Sequence, residues 1–154
     1  MQAQELFSAY VRRHFEFLTK ECGCTVVTDE YSQELASCVV VFGNSCRRVS
    51  LVWGLRNAQF YFAVERLSSK KRRVGSIGAS ELDRFYIFSL AFHHEPDAML
   101  SDFGSEMSWH GLDAKKLDQV IERNALCLRK YGGEIMMGRA WYNALKRTFE
   151  PESR

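Results

Sequence analysis

A chain of 154 residues with 46% hydrophobic and 26% charged side chains has the composition of one folded domain, residues 1–154, and not of a disordered protein. Its net charge of +2 argues against a molecule that mimics DNA over its whole surface. The N-terminus lacks a basic flank followed by an apolar run, and no apolar stretch approaches the roughly 20 residues of a membrane span. We therefore expect a cytoplasmic protein without membrane contact.

Apolar residues at three- and four-residue steps predict one helix over the first twenty residues. The members of this stripe are Leu6, Phe7, Tyr10, Val11, His14, Phe15 and Leu18. A short strand is expected over Cys24–Thr28, because this segment is rich in Thr and Val. A polar link over residues 29–34 then leads to the next element.

Three segments of alternating hydrophobicity predict an antiparallel meander between Ala36 and Leu67. Turn residues separate the segments at positions 43–45 and 54–57. The side chains expected on the core face are Cys38, Val40, Phe42, Val49, Leu51, Trp53, Phe60, Phe62 and Val64. The opposite face is mixed, with residues such as Val52, Tyr61 and Glu65, so we expect it to be partly wet.

Three helices are predicted in the second half of the chain. Ser80 and Asp83 resemble an N-cap and its reciprocal acid, which predicts a helix that begins at Ser80 and ends near His93. A long amphipathic helix is expected from about residue 112 to 131, and a final helix over 134–149. The sequence thus predicts an α+β fold with an N-terminal helix, a three- to four-stranded antiparallel meander, and three C-terminal helices packed on one sheet face.

The densest positive charge is the run Lys70, Lys71, Arg72 and Arg73, without which the chain would sum to −2. Such a run is typical of a solvated loop, and it can also contact an acidic protein or nucleic acid. No aromatic residues that would stack on bases interleave with these four positions. We favour the solvated loop and keep a basic contact with nucleic acid as the alternative.

An acidic loop follows the first of the C-terminal helices, within a stretch from Phe85 to Ala114 that contains neither Lys nor Arg. Large apolar side chains lie among its acids, an arrangement that protein interfaces use. The expected partner-binding residues are Asp97, Asp102, Phe103, Glu106, Trp109 and His110. In the alternative interpretation, the large side chains tuck under the loop and only anchor it.

His93 and His94, with Glu95 and Asp97, form the densest set of groups able to bind a metal or transfer protons. Adjacent helical residues project about 100° apart, whereas helical zinc sites place their histidines four residues apart. We interpret the pair as a helix C-terminus, where imidazoles pair well with free carbonyls. We therefore expect no catalytic residue, no metal and no cofactor.

The five cysteines are an odd number without the regular spacing of a disulfide framework, so we expect reduced thiols. Cys22 and Cys24 are two residues apart, which is not the Cys-x-x-Cys spacing of a redox site. No second pair or nearby histidine completes a zinc site. Local packing is the predicted role of both thiols.

Two passages carry a resemblance to a known group of proteins. They are Val39–Asn44 with Val49–Arg56 in the meander, and Leu126–Arg139 near the C-terminus. Together with the order of elements, they resemble small bacterial proteins encoded as immunity partners of intracellular toxins. The resemblance implies a cytosolic, non-enzymatic binding protein, monomeric or homodimeric, that occludes one dedicated toxin or effector. No functional residue carries over, because such proteins share architecture while their interfaces diverge.

Three hypotheses result, in order of preference. The first is an inhibitor or immunity protein that binds a protein partner through the acidic loop, which suits a partner that itself binds nucleic acid. The second is a nucleic-acid-associated or defence-related factor that uses residues 70–73. The third is a small enzyme that uses His93, His94 or His110.

Overall fold

The computed structural model describes residues 2–56, 59–67, 83–104, 114–137 and 141–149, and these residues form a mixed α+β fold. The described helices are α1 (Gln2–His14), α2 (Glu16–Glu21), α3 (Ile87–His94), α4 (Ala114–Tyr131), α5 (Gly133–Met137) and α6 (Trp141–Phe149), with a 3₁₀ helix at Leu100–Phe103. The described strands are β1 (Thr25–Ser32), β2 (Ser37–Gly43), β3 (Arg47–Gly54), β4 (Gln59–Arg66) and β5 (Arg84–Tyr86). The predicted fold class is confirmed.

All five described strands lie in one antiparallel sheet, in the order β1-β2-β3-β4-β5. Val40 lies opposite Leu51, and Leu51 lies opposite Phe62, so alternate residues of β2, β3 and β4 share one face. Of the nine residues predicted on the core face, eight are buried and Phe60 is half-buried. The predicted core face of the meander is therefore confirmed.

The first strand is longer than predicted. The prediction of a polar link over residues 29–34 is wrong for residues 29–32, because these belong to the strand. Strand β1 continues through Asp29 and Glu30 to Ser32 and pairs with β2, with one irregularity between Val26 and Thr28. Its polar composition is tolerated because α1 crosses the sheet here, with Ser8 and Arg12 donating to the Asp29 carboxylate at 2.5 and 2.6 Å. A sheet of five strands replaces the expected three or four.

The helix predicted to begin at Ser80 begins at Ile87 instead. Ser80 lies outside the described residues, and Asp83 accepts a hydrogen bond from the backbone N–H of Arg66 at 2.8 Å, which aligns it with β4. Residues Arg84–Tyr86 pair with β4 as the short edge strand β5. Three residues are too few for helical and strand periodicity to differ, so the pattern alone favoured the wrong element.

One predicted helix is divided in the structure, and another is described in two parts. The N-terminal helix breaks at Phe15, whose φ and ψ of −96° and 15° end α1 before α2 begins. This break turns the chain while keeping Phe15 itself fully buried. The final predicted helix is represented by α5 and α6, and residues 138–140 between them lie outside the described part.

The described helices bury their apolar faces against one face of the sheet. The ring of Phe7 in α1 lies 5.9 Å from that of Trp53 in β3, measured between centroids. Helix α4 adds further side chains to the same core, among them Leu117, Val120, Ile121 and Leu128. The opposite face of the sheet, which we call the outer face, carries the alternate residues of each strand.

Candidate functional site

The described part of the predicted acidic loop is residues 95–104, here called the acidic segment. It begins at Glu95, the C-cap of α3, and makes a tight turn in which the N–H of Ala98 donates to the Glu95 carbonyl at 2.8 Å. The 3₁₀ helix Leu100–Phe103 follows, with the N–H of Asp102 donating to Met99 at 3.0 Å. The segment thus has local hydrogen bonding of its own, which defines where its side chains point.

One residue of α4 holds both ends of the acidic segment. The guanidinium of Arg123 binds the Glu95 carboxylate at 3.1 Å, and its central carbon lies 5.6 Å from the ring centroid of Phe103. Phe103 is only 3% exposed and belongs to the hydrophobic core. Phe103, suggested by the sequence as a contact for a partner, therefore anchors the segment from inside because its ring is not accessible.

Gly104 closes the segment in a conformation that favours glycine, with φ of +86°. A Cβ atom at this position would overlap the ring of Phe60 and lie 2.8 Å from the side chain of Val120. The backbone therefore passes directly over the core at this point. Both ends of the segment are fixed, one by an ion pair and the other by close packing.

Between these anchors the acidic segment exposes apolar side chains. Met99 is 67% exposed and Leu100 is 36% exposed. The carboxylates of Asp97 and Asp102 are exposed on either side of them in sequence. An apolar contact flanked by charge is the composition of a protein-binding surface, with a centre that gains from burial and a rim that remains wet.

The acids of this segment lie close to basic side chains in the structure, although no Lys or Arg lies near them in the sequence. Helix α4 brings Lys116 and Arg123 next to Asp102, where the three side chains line a hollow of about 240 Å³. Glu95 is already paired with Arg123. The described part of the surface is therefore an apolar contact with mixed charges.

The predicted contacts Glu106, Trp109 and His110 lie outside the described residues, as do the basic residues 70–73.

The two adjacent histidines serve as packing groups at the end of α3. The ring of His94 stacks on Tyr131 of α4, with centroids 4.3 Å apart and planes 6° apart. The ring of His93 packs edge-on against Phe149 of α6. Burial, with the neighbouring charge of His93, lowers the pKa of His94 and favours the neutral ring that stacks here. No group of three or more potential metal ligands occurs among the residues the structure describes.

The buried thiols are poor nucleophiles in this environment. Desolvation raises the pKa of Cys24 and Cys38 to about 11 and that of Cys127 to about 12. A thiol reacts through its thiolate, which these values make scarce near neutral pH. All five cysteines are free.

A second surface, which the sequence analysis did not identify, lies on the outer face of the sheet. A groove of about 550 Å³ is lined there by the aromatic residues Phe60, Tyr61, Tyr86 and Phe88 and by Arg56, with further residues of β2, β3 and β4 and Leu35. The sequence placed Tyr61 on the mixed face of its strand. Its neighbour Tyr86 could not be assigned to that face without the pairing of β5 with β4.

Comparison with known proteins returns no match: no family model, no curated protein and no solved structure is significantly similar to this chain. Among its described helices, none combines the length and the apolar character that a membrane crossing requires.

Proposed function

We propose that this protein is a non-catalytic binding protein of the inhibitor or immunity type, and that it recognises a protein partner through the acidic segment. The observation that carries the proposal is the exposure of Met99, 67%, on a segment fixed at both ends. An apolar side chain presented on an ordered backbone gains from burial without the cost of ordering a loop. A few such side chains supply most of the binding energy of an interface.

The charges around Met99 favour specificity more than affinity. Asp97 and Asp102 are exposed carboxylates that would attract a partner with a complementary basic surface, as a toxin or effector that acts on nucleic acid presents. Lys116 and Arg123 beside Asp102 give the same surface a positive edge. A partner must match both signs, which suits recognition of one dedicated protein.

The chain offers a closely matched control for a test of this surface. Met137 in α5 is 66% exposed, almost the same as Met99, but lies on another element. We expect Met99→Asp to weaken binding of the partner at least tenfold and Met137→Asp to leave it within about twofold. The measurement is recovery of a stoichiometric protein complex from the native host on each tagged variant, followed by titration of the purified partner.

Two outcomes would contradict the proposal. One is equal loss, or equal retention, of the partner by the two methionine variants when both keep the thermal stability of the wild type. The other is co-purification of nucleic acid with no stoichiometric protein. The latter result would favour a protein that acts on nucleic acid directly.

A further inference from the structure

The outer face of the sheet brings together aromatic and cationic side chains that are far apart in sequence. Strand β5 pairs with β4 so that Tyr86 lies opposite Ala63, and Tyr61 is two residues from Ala63 on the same face. The rings of Tyr61 and Tyr86 meet edge to face at 5.2 Å. Phe88, the second residue of α3, stacks on Tyr86 at 5.5 Å with planes 16° apart.

These three rings are half-buried, so each keeps part of its surface in solvent. They form one side of the groove of about 550 Å³, and Val52 and Leu35 contribute its apolar floor and rim. Tyr61 and Phe88 each pack on Tyr86, and among the described residues no helix lies over their solvent-exposed surface. Such surface is suited to stacking with a flat ligand.

The charge of this groove is positive. Arg56 is exposed and is the only charged side chain among the described residues that line it. At the other end of the aromatic group, the guanidinium of Arg84 lies 5.9 Å from the Tyr61 ring centroid and donates to its hydroxyl at 2.9 Å. Arginines therefore lie at both ends of the aromatic group, where they can bind anionic groups on either side of stacked rings.

Arg48 extends the positive charge across the sheet. The register places it opposite Glu65, and Glu65 opposite Arg84, so Glu65 lies between two arginines in this row of the sheet. The Nε atom of Arg48 is buried and has no hydrogen-bond partner within the described structure. Two arginines against one glutamate leave this edge of the aromatic group cationic.

We propose that the outer face binds single-stranded nucleic acid, with bases stacked on Tyr61, Tyr86 and Phe88 and phosphates bound by Arg56 and Arg84. A proline-rich peptide also uses aromatic grooves, but it offers no anion for the arginines at both ends. Stacking on aromatic side chains with a cationic border is the chemistry by which proteins bind single strands of any sequence. The two surfaces adjoin at Phe60, which lines this groove and also packs against Gly104 of the acidic segment.

The cations and aromatic rings of this groove are not those of the basic run at residues 70–73. In sequence, the positive run at 70–73 lacks interleaved aromatic residues. In the structure, the pairing of β4 with β5 brings the aromatic rings together on the outer face of the sheet. The cations that border them are Arg56 and Arg84. The proposal needs none of the four residues of that run.

Fluorescence anisotropy with labelled single-stranded oligonucleotides, T12 and U12, tests the proposal on the full chain. We expect Tyr61→Leu and Tyr86→Leu each to weaken binding by about tenfold or more, the range for loss of one stacking platform. Tyr61→Phe keeps the ring and is expected to keep most of the affinity. Arg84→Gln should weaken binding and reduce its dependence on salt concentration, because one phosphate contact is lost.

Matched controls exist on the other side of the molecule. The control variants are Tyr131→Leu and Arg129→Gln. Tyr131 stacks on His94, and Arg129 pairs with Glu21. Circular dichroism melting establishes that each variant is folded. The proposal is overturned if no oligonucleotide binds, if a proline-rich decapeptide binds the groove instead, or if Tyr131→Leu costs as much affinity as Tyr61→Leu and Tyr86→Leu.

Discussion

Arg47 and Trp141 stack inside the protein, with the central guanidinium carbon 4.7 Å from the indole ring centroid. Arg47 occupies a core position of β3 and is only 2% exposed. Its Nε donates to the carbonyl of Ile135 at 2.8 Å, and Nη1 donates to that of Cys46 at 3.0 Å. A single strand residue thus fixes both α5 and α6 to the sheet.

Replacement of this arginine should destabilise the fold although methionine has a similar length. We expect Arg47→Met to lower the free energy of unfolding by about 2 kcal/mol, because the buried carbonyl of Ile135 loses its donor. Arg129→Met is the control, since Arg129 is 59% exposed in its pair with Glu21 and should change stability by less than about 1 kcal/mol. Urea denaturation of both variants measures the difference, and equal effects would refute this role of Arg47.

The close approach at Gly104 predicts a strong effect of one added methyl group. Gly104→Ala places a side chain at φ of +86° and against Phe60 and Val120. We expect a loss of about 2 kcal/mol or more in the free energy of unfolding, from backbone strain and overpacking. The same change at Gly133, where a Cβ would meet nothing within 4 Å, should be neutral or slightly stabilising. Thermal melting of the two variants compares them, and a Gly104→Ala protein as stable as Gly133→Ala would contradict the described packing.

Asp29 links α1 to the sheet and should govern part of the acid stability. Burial raises the pKa of this carboxyl, but hydrogen bonds from one face of α1 outweigh it and lower the pKa below the ordinary 3.8. The donors are Ser8, Arg12 and Gln4. As the pH falls past 3.8, the unfolded chain takes up a proton before the folded protein does, so the stability from Asp29 is lost on acidification.

We expect the free energy of unfolding of Asp29→Asn to depend less on pH in the acid range than that of the wild type. Its free energy of unfolding should be lower than that of the wild type near neutral pH, and should change less between about pH 5 and pH 2. Glu30→Gln removes one carboxylate from the same strand outside this hydrogen-bonded set and controls for net charge. Urea denaturation at a series of pH values gives the slopes. A wild-type slope in Asp29→Asn would show that the α1 contacts do not stabilise the ionised carboxylate.

An element of the fold could be predicted when the residues that define it are neighbours in the sequence. The common core face of Val40, Leu51 and Phe62 could be predicted from alternation within each strand and from the short turns between strands, because both signals lie in neighbouring residues. Strand β5 was missed because Arg84–Tyr86 is a strand only through its hydrogen bonds to β4, about twenty residues earlier. The extension of β1 through Asp29 likewise depends on donors in α1.

The candidate sites were harder to predict than the fold, because each depends on contacts between residues that are far apart in the sequence. The acidic loop was visible as a run of like charges, yet Arg123 and Lys116 come to it from α4, so the segregation of charge in sequence does not persist in space. Phe103 was indistinguishable from an exposed contact until its burial was known. The aromatic group on the outer face required the neighbourhood of Tyr61 and Tyr86, which the sequence alone does not define.

Hydrogen–deuterium exchange on the protein with and without its captured partner tests the protein-binding proposal most directly. We predict that binding slows exchange of the backbone amides over residues 97–103, around the exposed Met99. The α5 segment, residues 133–137, with the equally exposed Met137, should exchange at an unchanged rate. Protection confined to other segments, with residues 97–103 unchanged, would contradict the assignment of the acidic segment as the binding surface.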